Sequence, residues 1–529
     1  MKSIKNFILL FSFLMLILFF YAFDTKNILS KFNSLSYLLR IIDNYYVEDV
    51  ALDEIMDGAI HGLLEELDPH SAYFPAEDFK MMQESLVGEF EGIGIEFAIL
   101  DGYITVISPI PDTPSDKAGL IGGDKIVKIN GESAYKIKQD EVFQKLRGPK
   151  NSTVQVTISR SGLEKPFDVV LKRDKIPIHS IAAAFKYEKD LGYIKINRFA
   201  QNTYDEFKLA LDSLKTFGIK NVILDLRNNG GGLMDQAIQI VDLFINSNDT
   251  ILFTKGRQDD ANNVFYAKKS FHDNNMPILV LINRSSASAS EIVAGAFQDL
   301  DRGLVIGETS FGKGLVQKQF PLDDGSAARI TIAKYYTPSG RLIQRDFSGG
   351  IDEYYLNLGV KNREATDSLK NTLPTFKTKS GRTVYGGGGI TPDIYQSLQI
   401  TNFTEDSQLL FSNPNRIIFK YAHHLKPNIK VINFETFLSL INANEIKEIA
   451  KGLINLDDFI DWTFEQYDDL DISGDNISKD WDYIQNRILA DIANSLWGKN
   501  AYYNVLLLGD FQFKAAIDNI EIAKSLLNN

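Results

Sequence analysis

Between residues 283 and 291 the chain reads Asn283-Arg284-Ser285-Ser286-Ala287-Ser288-Ala289-Ser290-Glu291. An apolar strand, Pro277–Ile282, comes before it and a helix, 290–299, is expected after it. Small hydroxylated residues at a strand-to-helix turn suit nucleophilic chemistry. They let a substrate backbone approach, and the helix N-terminus favours developing negative charge. Taken singly, each of these serines reads better as a helix cap than as a nucleophile. Twenty-odd residues on, Lys313 stands between Gly312 and Gly314, just after the apolar strand Leu304–Ile306. Flanking glycines offer a lysine no apolar support, so packing does not explain it there. A desolvated lysine gives up its proton more readily and can act as a base toward a serine hydroxyl. A phosphate-binding P-loop would need Ser or Thr after the lysine, and Gly314 is there instead. A third segment, Asp225-Leu226-Arg227-Asn228-Asn229-Gly230-Gly231-Gly232, leaves a strand and enters a helix, so its amides can point at an oxyanion. It lacks the Gly-x-Gly-x-x-Gly spacing of dinucleotide sites.

The elements that must carry these residues follow from the surrounding pattern. Residues 190–345 alternate strand and helix: Tyr193–Ile196, helix 203–217, Val222–Leu226, helix 233–245, Ile278–Ile282, helix 290–299. That is an α/β core. Apolar residues at helical spacing (Leu38, Leu39, Ile42; Ile55, Ile60, Leu63, Leu64) make 30–86 helical. The stretch 346–381 is polar and reads as a loop insertion. Beyond about 400 the chain is helical and acidic.

From Gly88 to about Ile178 short β-type runs alternate with Gly, Pro and Asp. Two of its segments, Gly92-Ile93-Gly94-Ile95-Glu96-Phe97 and Ala118-Gly119-Leu120-Ile121-Gly122-Gly123-Asp124-Lys125-Ile126-Val127-Lys128-Ile129-Asn130-Gly131, resemble a PDZ domain. Leu146-Arg147-Gly148-Pro149 and the strand Val154–Ser159 continue the likeness. The resemblance implies peptide capture by strand addition, with backbone amides at Gly92 and Gly94 on the terminal carboxylate and Ile93 and Ile95 lining the pocket for the last apolar side chain.

Composition bounds the rest. With 529 residues, 44% apolar and 24% charged, the chain is a multidomain globular protein and neither disordered nor a polytopic membrane protein. Lys+Arg 56 against Asp+Glu 69 gives −13, which argues against nucleic acid as the main partner. Fourteen acids and six bases in 451–529 account for most of that excess. The cluster Asp468, Asp469, Asp471, Asp475 lacks the order of a calcium loop and reads as a solvated face. Cysteine is absent, which removes disulfides, thiolate metal sites and cysteine nucleophiles. Lys2 and Lys5 followed by the apolar run Phe7–Phe23 predict an N-terminal anchor or a signal peptide, with the rest of the chain exported.

Five segments together are similar to the carboxy-terminal processing peptidases, the PDZ-containing, tail-specific branch of the S41 serine peptidases. They are the serine cluster, Phe311-Gly312-Lys313-Gly314-Leu315-Val316-Gln317, the Asp225–Gly232 segment, Tyr335-Tyr336-Thr337-Pro338-Ser339-Gly340-Arg341 and Gly388-Gly389-Ile390-Thr391-Pro392-Asp393. Leu67-Asp68-Pro69-His70-Ser71 adds to the likeness, which spans about 35–400. It implies Ser288 as nucleophile, since the family places it 25 residues before the lysine. It also implies Lys313 as general base, Gln317 as its orienting partner, and the amides of Gly232 and Ala289 as oxyanion donors. Ser285, Ser286 and Ser290 become bystanders, with Ser290 the best cap, and His70 becomes a structural loop residue. No metal or cofactor is implied.

The expected architecture is multidomain α+β. Residues 1–26 form the anchor or signal peptide, 30–86 a helical segment, 88–178 a PDZ domain, 179–400 an α/β peptidase core of the crotonase/ClpP-like kind, and 401–529 an acidic helical domain for dimerisation or a partner. The expected activity is that of a serine endopeptidase on the periplasmic face of the inner membrane, cutting exported proteins that present apolar C-termini. The alternatives are an adaptor that binds tails without cutting them, and a crotonase-type acyl-thioester enzyme.

Overall fold

A computed structural model describes residues 28–268, 275–356, 371–398, 403–431, 433–467 and 470–527. The apolar run 7–23, Asp468, Asp469 and part of the expected loop insertion lie outside these residues. Among the described residues no helix is long and apolar enough to cross a membrane. The chain divides into two units, residues 1–75 with 319–330, and 76–318 with 331–529.

In the first unit, helices 28–45 and Leu52–Glu65 precede a short strand, Ala72–Phe74, whose ends pair antiparallel as Ala72↔Arg329 and Phe74↔Ala327. His70 is buried in the loop before that strand, and its backbone N–H donates to the Asp68 carboxylate at 2.8 Å.

The second unit begins with α1 (Ala76–Val87) and β1 (Glu89–Gly92), the latter paired with residues 174–177. Between them lie β2 (Ile95–Leu100), β3 (Tyr103–Pro109), β4 (Lys125–Ile129), α2 (Gln139–Leu146), β5 (Thr153–Ser159) and β6 (Phe167–Lys172). Strands β2-β3-β4-β5-β6 form an antiparallel sheet in that order, which leaves β2 at an edge. Alternation sets its inner face: Val154, Val156 and Ile158 are buried, while Thr153 and Gln155 between them are exposed.

The next sheet follows a different rule. Its order is β7 (Ile181–Lys186), β8 (Leu191–Ile196), β9 (Asn221–Asp225), β10 (Ile278–Ile282), β11 (Gly303–Gly307), β12 (Ile394–Tyr395), parallel from β8 onward. Every residue of β8 to β11 is buried, as befits largely apolar strands with both faces covered, and Lys195 and Asp225 are buried with them. Ile194, Leu224, Val280 and Val305 point to one cover, made by α3 (Thr203–Thr216), α4 (Met234–Asp242) and α5 (Ala289–Asp299). The alternate residues Tyr193, Ile223, Leu279, Leu281 and Ile306 meet Leu507, Phe513, Ala516 and Leu526 from the far end of the chain.

That second cover comes from the C-terminal helical region. Helices α6 (Ile417–Leu425) and α7 (Trp481–Trp497) build a core of their own around Phe437 and Phe459. Helices α8 (Lys499–Leu508), α9 (Phe511–Asp518) and α10 (Ile520–Leu526) lie on the sheet. The β module is also held: Phe419 of α6 packs on Leu100 and Ile107, and a Cβ added at Gly123 would lie 3.1 Å from the His423 ring. Lys420 meets Asp101 at 2.5 Å and Lys499 meets Glu96 at 2.8 Å. The region 401–529, expected from sequence to serve dimerisation or a partner, thus packs apolar residues such as Phe437, Phe513 and Leu526 within the chain. A boundary at residue 400 separates the peptidase sheet from one of its two covers.

Candidate active site

Strand β10 delivers the serine turn, and the turn after β9 packs against it. The Asn283 side chain makes a reciprocal pair with Asn228: the Asn228 N–H donates to Oδ1 at 2.9 Å, and Asn283 Nδ2 donates to the Asn228 side chain at 2.8 Å. Ser286 donates to the Leu226 carbonyl and Ser290 to the Asn229 carbonyl, each at 2.9 Å, and both are buried. These two hydroxyls tie the turns together. Ser285 is exposed. Ser288 is half-buried at the start of α5, with φ 54° and ψ −112°. A non-glycine residue in that region carries strain of roughly 1–3 kcal/mol, which the surroundings must offset. The cap position belongs to Ser288 and not to Ser290, which corrects the sequence-based expectation. Ser290 turns its hydroxyl away to the neighbouring turn.

The backbone at Ser288 is held from both sides. Its N–H donates to Glu291 Oε2 at 2.8 Å, while its carbonyl accepts from the Ile292 N–H at 2.9 Å and from the Tyr335 hydroxyl at 3.3 Å. The same Glu291 carboxylate accepts from the N–H of Gly312 at 2.7 Å, the N–H of Lys313 at 2.9 Å and the Ser310 hydroxyl at 2.5 Å. Glu291 is 0% exposed. Burial pushes its carboxyl above the ordinary value, against the pull of its four donors.

Lys313 is half-buried, and its two glycines have a packing reason. Gly312 has φ 88°, and a Cβ there would lie 3.1 Å from the Gly389 nitrogen; at Gly314 it would lie 2.8 Å from the Gln344 nitrogen. The loop is pressed between two other turns. Gln317 is half-buried, and its amide donates to the Thr331 hydroxyl at 3.3 Å.

Gly231 and Gly232 pack the third segment against the serine turn. A Cβ on Gly231 (φ 97°) would sit 2.8 Å from Ser288 Cβ and 2.9 Å from the Ala289 nitrogen. On Gly232 (φ 141°) it would sit 2.1 Å from the Phe199 carbonyl oxygen. Among the described residues neither the Gly232 N–H nor the Ala289 N–H has an acceptor. Two unengaged amides beside a serine at a helix N-terminus suit an oxyanion. Behind them, Asp225 accepts from Tyr193 at 2.7 Å and pairs with Arg227 at 2.6 Å; Arg227 reaches on to Asp510 at 2.6 Å. Burial alone would raise the Asp225 carboxyl, but the charges of Arg227 and Lys195 outweigh it and hold the group well below the usual carboxylate range. This acid and arginine are structural, joining the glycine turn to the final helices.

In the β module, Gly92 ends β1, and Ile93 to Ile95 lead into the edge strand β2. A Cβ at Gly94 (φ 82°) would lie 2.3 Å from the Thr113 side chain. The Gly94 carbonyl accepts from the Ile110 N–H at 3.0 Å and from the Thr113 hydroxyl at 3.1 Å. Ile93 is 2% exposed and belongs to the module's core, while Ile95 is half-buried. Phe97 on β2 meets Phe143 on α2 edge to face at 5.7 Å across the groove.

Glu291, Tyr335, Gly231 and the Asn228–Asn283 pair escaped the sequence reading. Only Glu291 carried a usable signal, since Ser288-x-x-Glu291 has the spacing of a capping box.

A buried parallel sheet carrying a serine at a helix start, next to an edge-strand peptide module, defines a peptidase with a PDZ domain. The chain matches the family described as Peptidase family S41 over residues 190–354, the PDZ domain over 83–159 and the Activating protease CtpB N-terminal domain over 22–78. It is 40% identical over 330 residues to a carboxy-terminal-processing protease of Bartonella bacilliformis, covering 61% of this chain and 75% of that one. It is 37% identical over 317 residues to carboxy-terminal processing protease CtpA of Bacillus subtilis, covering 60% and 67%. A probable CtpA-like serine protease of Staphylococcus aureus is 37% identical over 444 residues, covering 81% and 85%. The chain belongs to the carboxy-terminal processing proteases of peptidase family S41.

Proposed function

We propose that Ser288 and Lys313 form the catalytic dyad of an endopeptidase that captures apolar protein C-termini on its PDZ module and cuts near them. One observation carries this reading: a single buried carboxylate, Glu291, binds the backbone N–H groups of both Ser288 and Lys313, beside the unengaged amides of Gly232 and Ala289. Ser288 Oγ attacks the scissile carbonyl while neutral Lys313 Nζ takes its proton. The Gly232 and Ala289 amides receive the oxyanion. The C–N bond then breaks, Lys313 returns the proton to the leaving amine, and the acyl group stays on Ser288. Water, deprotonated by Lys313, attacks that ester, and the proton passes back to Ser288. Gln317 orients the lysine from the neighbouring strand. Because the base must be neutral, activity rises with pH through the lysine's titration.

The tail adds as a strand along β2, its carboxylate on the amides of Gly92–Ile95 and its last side chain between Ile95 and α2. The chain acts after export, with residues 7–23 as anchor, on unfolded or tail-exposed exported proteins. Ser288→Ala and Lys313→Ala, given an unfolded substrate with a free or an amidated C-terminus, test the scheme. Both variants should leave the substrate mass unchanged, and Ser288→Ala should still bind the free tail. Proteolysis at the wild-type rate by either one overturns the dyad.

A further inference from the structure

The dyad residues lie on separate segments, the serine turn after β10 and the lysine loop after β11, and something must fix the distance between them. We infer that Glu291, as a carboxylate, is the positioning residue that sets Ser288 against Lys313 and holds the lysine's basicity. This rests on the Ser288–Lys313 reading of the site.

Glu291 Oε2 accepts from the Ser288 N–H at 2.8 Å and the Lys313 N–H at 2.9 Å. Oε1 accepts from the Gly312 N–H at 2.7 Å and the Ser310 hydroxyl at 2.5 Å. Three of these donors are backbone amides that cannot reverse roles. The fourth, the Ser310 hydroxyl, also accepts from the Ile390 N–H at 2.6 Å. A protonated Glu291 would place its own hydrogen on an oxygen that already meets two donors. The ionised form is the one the site is built for.

One oxygen thus binds the nucleophile's amide and the base's amide together, and the other reaches the 388–392 turn through Ser310. Tyr335 secures the far side, since its hydroxyl donates to the Ser288 carbonyl at 3.3 Å and its N–H donates to the Gly314 carbonyl at 2.9 Å. The positive φ of Ser288 is therefore held at both of its peptide groups. A buried negative charge at this point also favours the protonated lysine, because screening by water is weak there.

The substitutions separate geometry from charge. In Glu291→Gln the amide oxygen can take the place of Oε2 and keep both the Ser288 and Lys313 anchors. Its NH2 group then faces both the Gly312 N–H and the Ser310 hydroxyl, so the Gly312 bond and the full charge are lost and Ser310 must turn to accept. Glu291→Asp draws the carboxylate back by one C–C bond, about 1.5 Å, and breaks the anchor while keeping the charge. Glu291→Ala removes both.

The test measures kcat, KM and the pH profile of the full chain on one unfolded substrate, with thermal unfolding to show that each variant folds. We expect kcat to fall by about 10²-fold or more in Glu291→Ala and Glu291→Asp with KM little changed. Glu291→Gln should lose about tenfold or less, and the acid limb of its profile should move down by on the order of one pH unit. Should Glu291→Ala fail to fold, the Glu291→Gln profile decides. An acid limb at the wild-type position in Glu291→Gln overturns the inference, as does wild-type kcat in folded Glu291→Ala or Glu291→Asp. Activity surviving in Ser288→Ala overturns the dyad reading itself, a separate result from the same assay.

Discussion

Gly231 offers the sharpest perturbation of the site because its surroundings can be measured. A methyl group there would lie 2.7 Å from the Ala287 carbonyl oxygen, 2.8 Å from Ser288 Cβ and 2.9 Å from the Ala289 nitrogen. Carbon contacts are comfortable from about 3.5 Å, so in Gly231→Ala the glycine turn and the serine turn must separate by about 0.7 Å. The same residue has φ 97°, which adds roughly 1–2 kcal/mol for a side chain forced into left-handed backbone. Displacements near 1 Å cost about 10²-fold in rate, and losing one oxyanion donor costs about 10²–10³-fold. We expect kcat of Gly231→Ala to fall on the order of 10²-fold. KM on an unfolded substrate should change little, because the PDZ groove is untouched. Gly230→Ala is the internal control, since a methyl group there meets nothing within 4 Å. Steady-state kinetics on both variants, with thermal unfolding alongside, read the difference. A folded Gly231→Ala enzyme with kcat within threefold of wild type, or a Gly230→Ala enzyme equally impaired, would refute the geometric argument.

Two further predictions concern stability. Phe513 is 1% exposed and meets Tyr187 and Tyr193 edge to face at 4.9 and 5.8 Å, so Phe513→Ala should lower unfolding free energy by about 3–5 kcal/mol in a denaturant titration. Burial, with help from Lys426 and Arg416, depresses the His423 imidazole to about 4, so the folded state keeps it neutral while the unfolded chain protonates it near 6.5. Its contribution to stability is therefore intact above about 6.5 and is lost as pH falls toward 4, and His423→Gln should flatten that part of the stability–pH curve, as followed by thermal unfolding between pH 4 and 8.

What could be read from the chain alone was short-range. The strand-like runs at 193–196, 222–226, 278–282 and 304–306, the first two interrupted by Lys195 and Asp225, mark the strands of an α/β core, and the glycine- and serine-rich turns after them mark where chemistry could sit. The start of α3 matches its expected position, while those of α4 and α5 differ by one residue because caps, not periodicity, decide them: α5 begins at Ala289, with Ser288 ahead of it. Glu291 was passed over because its other three donors come from residues 310–313, and no local pattern relates the two segments. The final helices showed their apolar spacing plainly. Their target did not show, since a helix face of Phe513, Ala516 and Leu526 fits its own neighbours or a sheet 200 residues earlier equally well. Gln317 is a milder case: its spacing from Lys313 is visible in sequence, while the hydrogen bond to Thr331 is a property of the folded sheet.

The late arrival of the sheet's second cover bears on when this enzyme can first cut. Ser288 and Lys313 leave the ribosome some two hundred residues before Phe513 and Leu526. Until those helices arrive, the face bearing Tyr193, Ile223, Leu279 and Ile306 stays bare and Arg227 lacks Asp510. A nascent chain thus holds Ser288 and Lys313 on a sheet with one apolar face still uncovered. The sheet gains its second cover only once residues 499–526 have been made.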